Sequence, residues 1–390
     1  MRIPSRFRAG AGVISPAGRT VAALAVVSAL IGWRLGWREA LWTSAASAVV
    51  FLVAAAFMIG SGRVSGDLDV DPPRVVVGEF SAGSVTLRHL RAGSLGLRAE
   101  LTVGSTTEVF SAGSLRRASE HVEEFVLPTT RRQILQIGPL TQVRGDPLGL
   151  MRRTAVLAPA QNLYVHPVTS RLENLGAGFL RDLEGQPTAD LSNSDVAFHA
   201  LREYQPGDDR RFVHSRTSAR VGKLMIRQFV DTRRSHLAIV LDTRSDGYSD
   251  PDEFELAVSL AASLGRRALI DEQDLTVLTG AGALASLDGQ RLLDGFAGVE
   301  MSVSGDDLPD LTGRLQRSSG VSITAVVTGS ECPISRIQSS ARRIDPSVRA
   351  LVVRAHLGGE TTARMLGSAT VLTIGSLDDF QRSLWKAAQW

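Results

Sequence analysis

The 390-residue chain has one cysteine, Cys332, and only two lysines, Lys223 and Lys386, among its 43 basic side chains. A single thiol excludes an internal disulfide and a thiolate cage for a metal. It reads instead as a small buried residue beside a strand end. With so little lysine the positive charge is almost wholly arginine, which favours bidentate pairing, although a biased genome composition yields the same count. Aromatic residues make up 5% of the chain and the formal net charge is +3, too little to steer nucleic acid over the whole molecule. The seven histidines are scattered, with no His-x-x-His or His-Glu-x-x-His spacing, and no Gly-rich loop ends in Lys-Ser or Lys-Thr. These absences argue against a hydrolase and against a phosphate-loop nucleotide site.

What the chain does have is apolar sequence at its start. Val21 to Trp33 is apolar and bounded by Arg19 and Arg34, and Ala40 to Gly60 is apolar and bounded by Glu39 and Arg63. The second run is about 20 residues, or roughly 30 Å as a helix, the thickness of a bilayer core. The first is shorter and needs its flanking arginines to reach toward the headgroups. Trp33, Trp37 and Trp42 cluster at the turn between the runs, as in an interfacial aromatic belt. A cleaved signal peptide followed by a buried helix is the competing reading, but no small-residue cleavage pattern precedes a polar start. Arg2, Arg6, Arg8 and Arg19 precede the first run, against Arg34 and Arg38, partly offset by Glu39, in the turn. Positive-inside counting puts the N-terminus and the long C-terminal part in the cytoplasm. Residues 1–63 are therefore expected to be an N-terminal segment with two transmembrane helices in a multi-pass protein of the cell membrane.

Residues 64–168 read as short alternating strands broken by Gly, Ser and Pro, the pattern of an all-β, immunoglobulin-like sandwich. Within them GDPLGLMRR (Gly145 to Arg153) is expected to connect two strands, with Leu148 and Leu150 tucked back onto the core. Residues 169–235 form a loop and an arginine-rich segment; Asn174 to Ser194 reads as a mobile loop. From 236 to 390, short apolar runs (HLAIVLD, LTVLTG, VSITAVVTG, VRALVVRA, ATVLTIG) alternate with helical spacing. That is the signature of a doubly wound, mostly parallel α/β sheet. Ligands of such sheets lie beyond the carboxyl ends of the strands, so Asp242 and Thr328 to Glu331 mark the expected site.

The densest polar segment is REYQPGDDRRFVHSRTSARVGKLMIRQF, Arg202 to Phe229. His214 and Ser215 are adjacent and would point apart on a helix or a strand, so they form no nucleophile–base pair. Aromatic interleaving is poor, and Asp208 and Asp209 would repel phosphates, so nucleic acid is not an expected partner. Gln205 to Asp208 is turn chemistry, Asp208 or Asp209 can cap a helix, and KLMIRQFV can join the sheet led by His236 to Asp242. Arg202, Arg210 and Arg220 could pair with Asp208, Asp209 or Asp231. The expectation is a rigid corner with a partly buried Arg220–aspartate pair, serving also as a docking face.

This segment, with GPLTQVRGDPLGL upstream and the apolar hairpin before both, resembles the bacterial proteins that carry domain of unknown function 58. The resemblance implies a membrane hairpin, a β-sandwich and a domain of von Willebrand factor type A-like form. It implies a protein-binding module that works with a MoxR-type AAA+ ATPase in envelope or complex assembly, with no enzymatic reaction and with membrane lipid as its other partner. Arg202, Tyr204, Pro206, Gly207, Asp208, Arg211, His214, Ser218, Ala219, Arg220 and Gly222 match the family's signature. Two positions depart from it. Ser215 stands where the family usually has a tryptophan. Type A domains hold a divalent cation through an Asp-x-Ser-x-Ser run, and here the run is Asp242, Thr243, Arg244, Ser245, Asp246, in which only Asp242 fits. No cofactor is expected, and Mg²⁺ could be held only through Asp242. The alternative function is an extracytoplasmic, metal-dependent adhesion-type module.

Overall fold

The computed structural model describes residues 13–58, 64–89, 97–112, 120–173, 197–205, 210–230, 235–315 and 320–387. It divides into two compact units, Met1–His166 and Pro167–Trp390.

The first unit opens with a helical hairpin. Helix α1 (Pro16–Leu35) starts at Ser15, whose Oγ accepts from the Gly18 amide at 2.9 Å. Pro16 sits in the first turn, where its missing N–H costs nothing. Gly36, at φ 65°, ends the helix in the left-handed conformation. Helix α2 (Arg38–Met58) returns beside it. The Ser44 hydroxyl donates to the Ala25 carbonyl at 2.9 Å, and a Cβ at Gly32 would lie 2.7 Å from the Leu41 side chain. Most of the apolar surface faces outward: Trp42 is 77% exposed, and Leu24, Val26, Leu30, Leu52 and Val53 are exposed with it. Both helices are long and apolar enough to cross a membrane.

After the hairpin come two sheets. Strands β1 (Val64–Asp71), β3 (Ala82–His89) and β6 (Glu120–Val126) form a three-stranded antiparallel sheet. The second sheet runs β2 (Arg74–Val76), β9 (Gln161–His166), β7 (Gln133–Gly145), β4 (Leu97–Val103), β5 (Thr106–Ala112), with β8 (Arg152–Ala158) paired to β7. In β1 the period is two: Leu68 and Val70 are buried while Asp67, Asp69 and Asp71 are exposed. Leu68, Val70, Val85 and Leu87 from the first sheet share one core with Leu101, Ile137, Leu140 and Leu163 from the second. Each such side chain contributes about 1.5–3 kcal/mol by leaving water, and this shared core makes the pair a sandwich. Gly145 to Met151 connects β7 to β8 as expected, but one of its two leucines faces the other way: Leu150 is 5% exposed, Leu148 61%. The Asp146 carboxylate accepts from the Leu148 amide at 2.9 Å, and Gly149 follows at φ 68°. That turn directs Leu148 outward.

In the second unit a seven-stranded sheet runs β14 (Gly282–Leu284), β13 (Asp274–Thr279), β12 (His236–Leu241), β15 (Ile323–Thr328), β16 (Arg349–Ala355), β18 (Ala369–Ile374), β17 (Thr362–Leu366). The five inner strands are parallel, and β14 and β17 close the edges antiparallel. Alternation along β12 divides two cores. Leu237, Ile239 and Leu241 pack with α4 (Pro251–Ile270), α5 (Gly289–Ala297) and α8 (Phe380–Ala387). Ala238 and Val240 pack with α6 (Leu308–Leu315) and α7 (Ile334–Arg342). Helices thus cover both faces, which is why β12 and β15 are buried along nearly their whole length. Helix α4 is buried through Phe254, Ala257, Leu260, Ala261 and Leu264, the opposite of the surface α1 and α2 present. Leu172, ahead of the arginine-rich segment, belongs to this core as well.

The arginine-rich segment differs from its expected form. KLMIRQFV does become a strand, β11 (Met225–Val230), but it pairs antiparallel with β10 (Ala197–Glu203) in a separate two-stranded sheet. Between them lie a 3-10 turn at Arg210–Phe212 and helix α3 (Ser215–Val221), whose N-cap is His214 rather than an aspartate. Pro206, Gly207, Asp208 and Asp209, Asp231, and the loop Asn174 to Ser194 lie outside the described residues.

Candidate functional site

The first strand of an open parallel sheet sends one neighbour to each side, and the crevice between those neighbours' carboxyl ends is where ligands of such sheets bind. Here that strand is β12, flanked by β13 and β15. The crevice is lined by Asp242 to Tyr248 after β12 and by Thr328 to Cys332 at the end of β15.

Asp242 is fully buried. One carboxylate oxygen accepts from the Arg244 amide at 3.1 Å and the other from the Thr328 hydroxyl at 3.0 Å. The Tyr248 hydroxyl donates to the Asp242 carbonyl. Burial pushes the Asp242 carboxyl above its ordinary value, against the pull of those two hydrogen bonds. Burial likewise pushes the Tyr248 phenol well up and raises the Cys332 thiol.

Glu253, in the first turn of α4, is also buried. It accepts from the Ser330 amide at 2.7 Å, the Ser330 hydroxyl at 2.9 Å and the Ser249 hydroxyl at 2.9 Å. The carboxylate therefore fastens the loop after β15 to the start of α4. Gly329 makes this approach sterically feasible: a Cβ there would lie 2.3 Å from the Gly247 carbonyl oxygen and 2.6 Å from Glu253 Oε1.

Four charges complete the rim. Asp246 accepts from both Arg244 (2.7 Å to Nη2) and Arg336 (3.0 Å to Nη2), and Arg336 Nε lies 3.2 Å from Asp307. Arg336 is the main reason the Asp246 carboxyl is lowered to about 2, with Arg244 adding to it. Arg244 therefore points to Asp246 at the position where a type A metal run would carry a serine ligand. Among the described residues no three His, Cys, Asp or Glu side chains gather in a way that could hold a metal ion. Glu253, Tyr248, Arg336 and Asp307 were not singled out by the sequence; Gly329, next to an apolar strand end, was the available signal for a close approach.

Two of the described signature residues, His214 and Gly222, are bonded to a third, Ser218. Its hydroxyl accepts from the Met225 amide at 2.8 Å and donates to the His214 carbonyl at 3.0 Å. His214 Nδ1 accepts from the Thr217 amide at 3.2 Å, and the His214 amide donates to the Met225 carbonyl at 2.8 Å. Gly222 ends α3 at φ 75°, its amide donating to the Ser218 carbonyl. The Tyr204 amide donates to the Leu224 carbonyl at 2.8 Å, and Arg202 Nη1 donates to the Glu203 carbonyl at 3.2 Å. Arg211 is on the 3-10 turn; Ala219 and Arg220 are exposed. The expected partly buried Arg220 is thus an exposed side chain in the last turn of a short helix. His214 and Ser218 converge on Met225, while Asp242 makes its bonds to Arg244 and Thr328.

The signature segment and the β12 side of the crevice fall inside one sequence match, while Asp307 and the residues from Thr328 onward lie beyond it. Residues 200–285 match the family described as protein of unknown function DUF58. The DUF58 match takes in the second half of β10, the Ser218 clasp, β12, Asp242 and all of α4. The chain is also 29% identical over 166 residues to the uncharacterized protein YeaD of Bacillus subtilis, covering 39% of this chain and 40% of that protein. Among solved structures, the CARDB domain of the PF1109 protein from Pyrococcus furiosus has 13% identity. It covers 27% of this chain and 93% of that one at a TM-score of 0.21. The alkylpurine DNA glycosylase AlkC of Pseudomonas fluorescens has 17% identity, covering 37% and 46% at a TM-score of 0.19. Likenesses this slight carry no argument about fold or function.

Proposed function

We propose that this chain is a DUF58 protein acting as a membrane-anchored, non-enzymatic protein-binding module. Its second unit takes the von Willebrand factor type A-like form, and its partner is a MoxR-type AAA+ ATPase in the cytoplasm. The observation that carries this reading is the state of the crevice at the end of β12. The Thr328 hydroxyl is committed to Asp242 and the Ser330 hydroxyl to Glu253. At the rim the Arg244–Asp246–Arg336–Asp307 group is linked by ion pairs, with Asp246 the most exposed of the four and the arginines largely covered. Charged side chains in a fixed array suit recognition of a complementary protein surface, where they set specificity and encounter rate. The antiparallel edge strand β14 beside β13 supports the type A-like reading. The outward apolar surface of α1 and α2 supports the anchor, and the arginines before Val21 support the cytoplasmic orientation.

The test is capture from detergent-solubilised membranes. The native chain should recover an AAA+ ATPase, and Arg336→Asp should lose it while hydrogen exchange of β12 stays slow. Equal recovery by both chains would move the binding face away from the crevice. Failure of the native chain to recover an ATPase would overturn the partnership.

A further inference from the structure

The connection between β7 and β8 is fastened to the first residues of the helical hairpin. The Ser15 amide donates to the Leu150 carbonyl at 2.9 Å and the Arg152 amide to the Val13 carbonyl at 2.8 Å. Ile14 and Met151 form an antiparallel bridge between these bonds. Gly18, in the first turn of α1, lies so close that a Cβ would come 2.1 Å from the Leu150 carbonyl oxygen. The turn and the start of α1 are one piece of structure.

We propose that the turn Gly145–Met151 is a membrane-surface contact whose apolar tip, Leu148, enters the interface between headgroups and acyl chains. The proposal rests on the anchor reading given above. Helix α1, at 1.5 Å per residue, is about as long as a bilayer core is thick. If it spans, its first turn lies at one bilayer surface, and the bridge at Ile14 and Met151 holds the turn at the same level. Leu148 is 61% exposed although its neighbour Leu150 is buried, and the Asp146 carboxylate holds the tip in that shape by accepting from the Leu148 amide. Ile14, at the bridge itself, is 40% exposed. Basic residues flank this apolar tip: Arg153 near the start of β8, Arg144 next to last in β7 and Arg19 in the first turn of α1, with Arg152 beside them paired to Glu100 at 2.6 Å. An apolar tip with a collar of arginine is the chemistry of an anionic lipid surface, where apolar groups sink about 5–10 Å and each cation adds attraction.

The experiment uses the full chain with Cys332→Ala and Leu148→Cys, labelled at residue 148 with an environment-sensitive fluorophore. It is reconstituted in vesicles of phosphatidylethanolamine and phosphatidylglycerol doped with brominated lipid. The expected result is a loss of emission that is larger with bromines near the headgroups than near the bilayer centre, together with protection from aqueous iodide. In a chain that also carries Trp385→Phe and Trp390→Phe, the emission of the remaining Trp33, Trp37 and Trp42 reports on the hairpin independently. If those tryptophans are quenched by brominated lipid while the label at 148 is quenched only by iodide, the turn does not touch lipid and the anchor reading stands. If neither responds to brominated lipid, both readings are overturned.

Discussion

Thr328, the last residue of β15, holds the carboxylate of Asp242, the residue that follows β12, through one hydrogen bond of 3.0 Å with both side chains buried. Two parallel neighbouring strands are thereby tied at their carboxyl ends, beside the last backbone bond between them, from the Asp242 amide to the Val327 carbonyl at 2.9 Å. Thr328→Val would leave a buried acceptor with one partner fewer, at a cost of about 1–3 kcal/mol. Hydrogen exchange of the β12 and β15 peptides in the detergent-solubilised chain should rise together.

Asp242 and Asp246 should give opposite pH dependences. The Asp242 carboxyl is raised by burial, so the folded state binds its proton more readily than the unfolded one. Its contribution is present below the ordinary carboxylate range, about 4, and is lost as pH rises through the raised value. The native chain should therefore lose stability relative to Asp242→Asn on going from about pH 4 toward neutrality. Asp246 is lowered to about 2; its contribution is present above the ordinary range and is lost as pH falls toward 2. The advantage of the native chain over Asp246→Asn should close over that acid window. Urea unfolding followed at the β12 peptides across pH checks both signs.

Gly329→Ala should destabilise the second unit by about 1–3 kcal/mol, the range of an overpacked buried site. The added carbon meets the Gly247 carbonyl oxygen at 2.3 Å and the Tyr248 ring at 2.4 Å. Gly305→Ala is the control, because nothing lies within 4 Å of a Cβ there. Thermal melting of the two variants should separate them.

In the signature segment the sensitive residue is Ser218 and not Arg220. Ser218→Ala removes the acceptor of the Met225 amide and should cost about 1 kcal/mol or more. The exposed Arg220→Ala should leave exchange rates in α3 and β11 unchanged. If Arg220→Ala abolishes partner capture with those rates intact, Arg220 belongs to a docking face.

Millimolar Mg²⁺ or Mn²⁺ should not move the melting temperature of the purified chain. A ligand of the folded state raises stability in proportion to the logarithm of its saturation. A rise that Asp242→Ala removes would establish a metal site at this crevice.

Alternation and apolar runs made the inner strands of both units legible, because burial imposes a period of two in β1 and continuous apolarity in β12. The edge strands β14 and β17 were not legible; at three and five residues they are too short for a period to show. Glu253 lies in the first turn of α4, where an acid suits the helix dipole whether exposed or buried. Its burial depends on Ser330, 77 residues away, and no local pattern encodes that. Leu148 misled for the reverse reason: an apolar residue in a turn is read as inward unless the Asp146 turn geometry is known. β11 was read correctly as a strand, but a strand's sequence does not name its neighbour, and β11 pairs with β10 although β12 is nearer along the chain.

The bridge between Ile14 and Met151 also sets an order of events during synthesis. Residue 14 leaves the ribosome well over a hundred residues before residue 151. At about 5–20 residues per second the wait is on the order of 7–27 s. Both apolar helices are complete long before β7 and β8 exist to receive the start of α1. The hairpin must therefore find its environment unaided, and the strand pairing that fastens it to the sandwich acts afterwards as a latch on a placement already made.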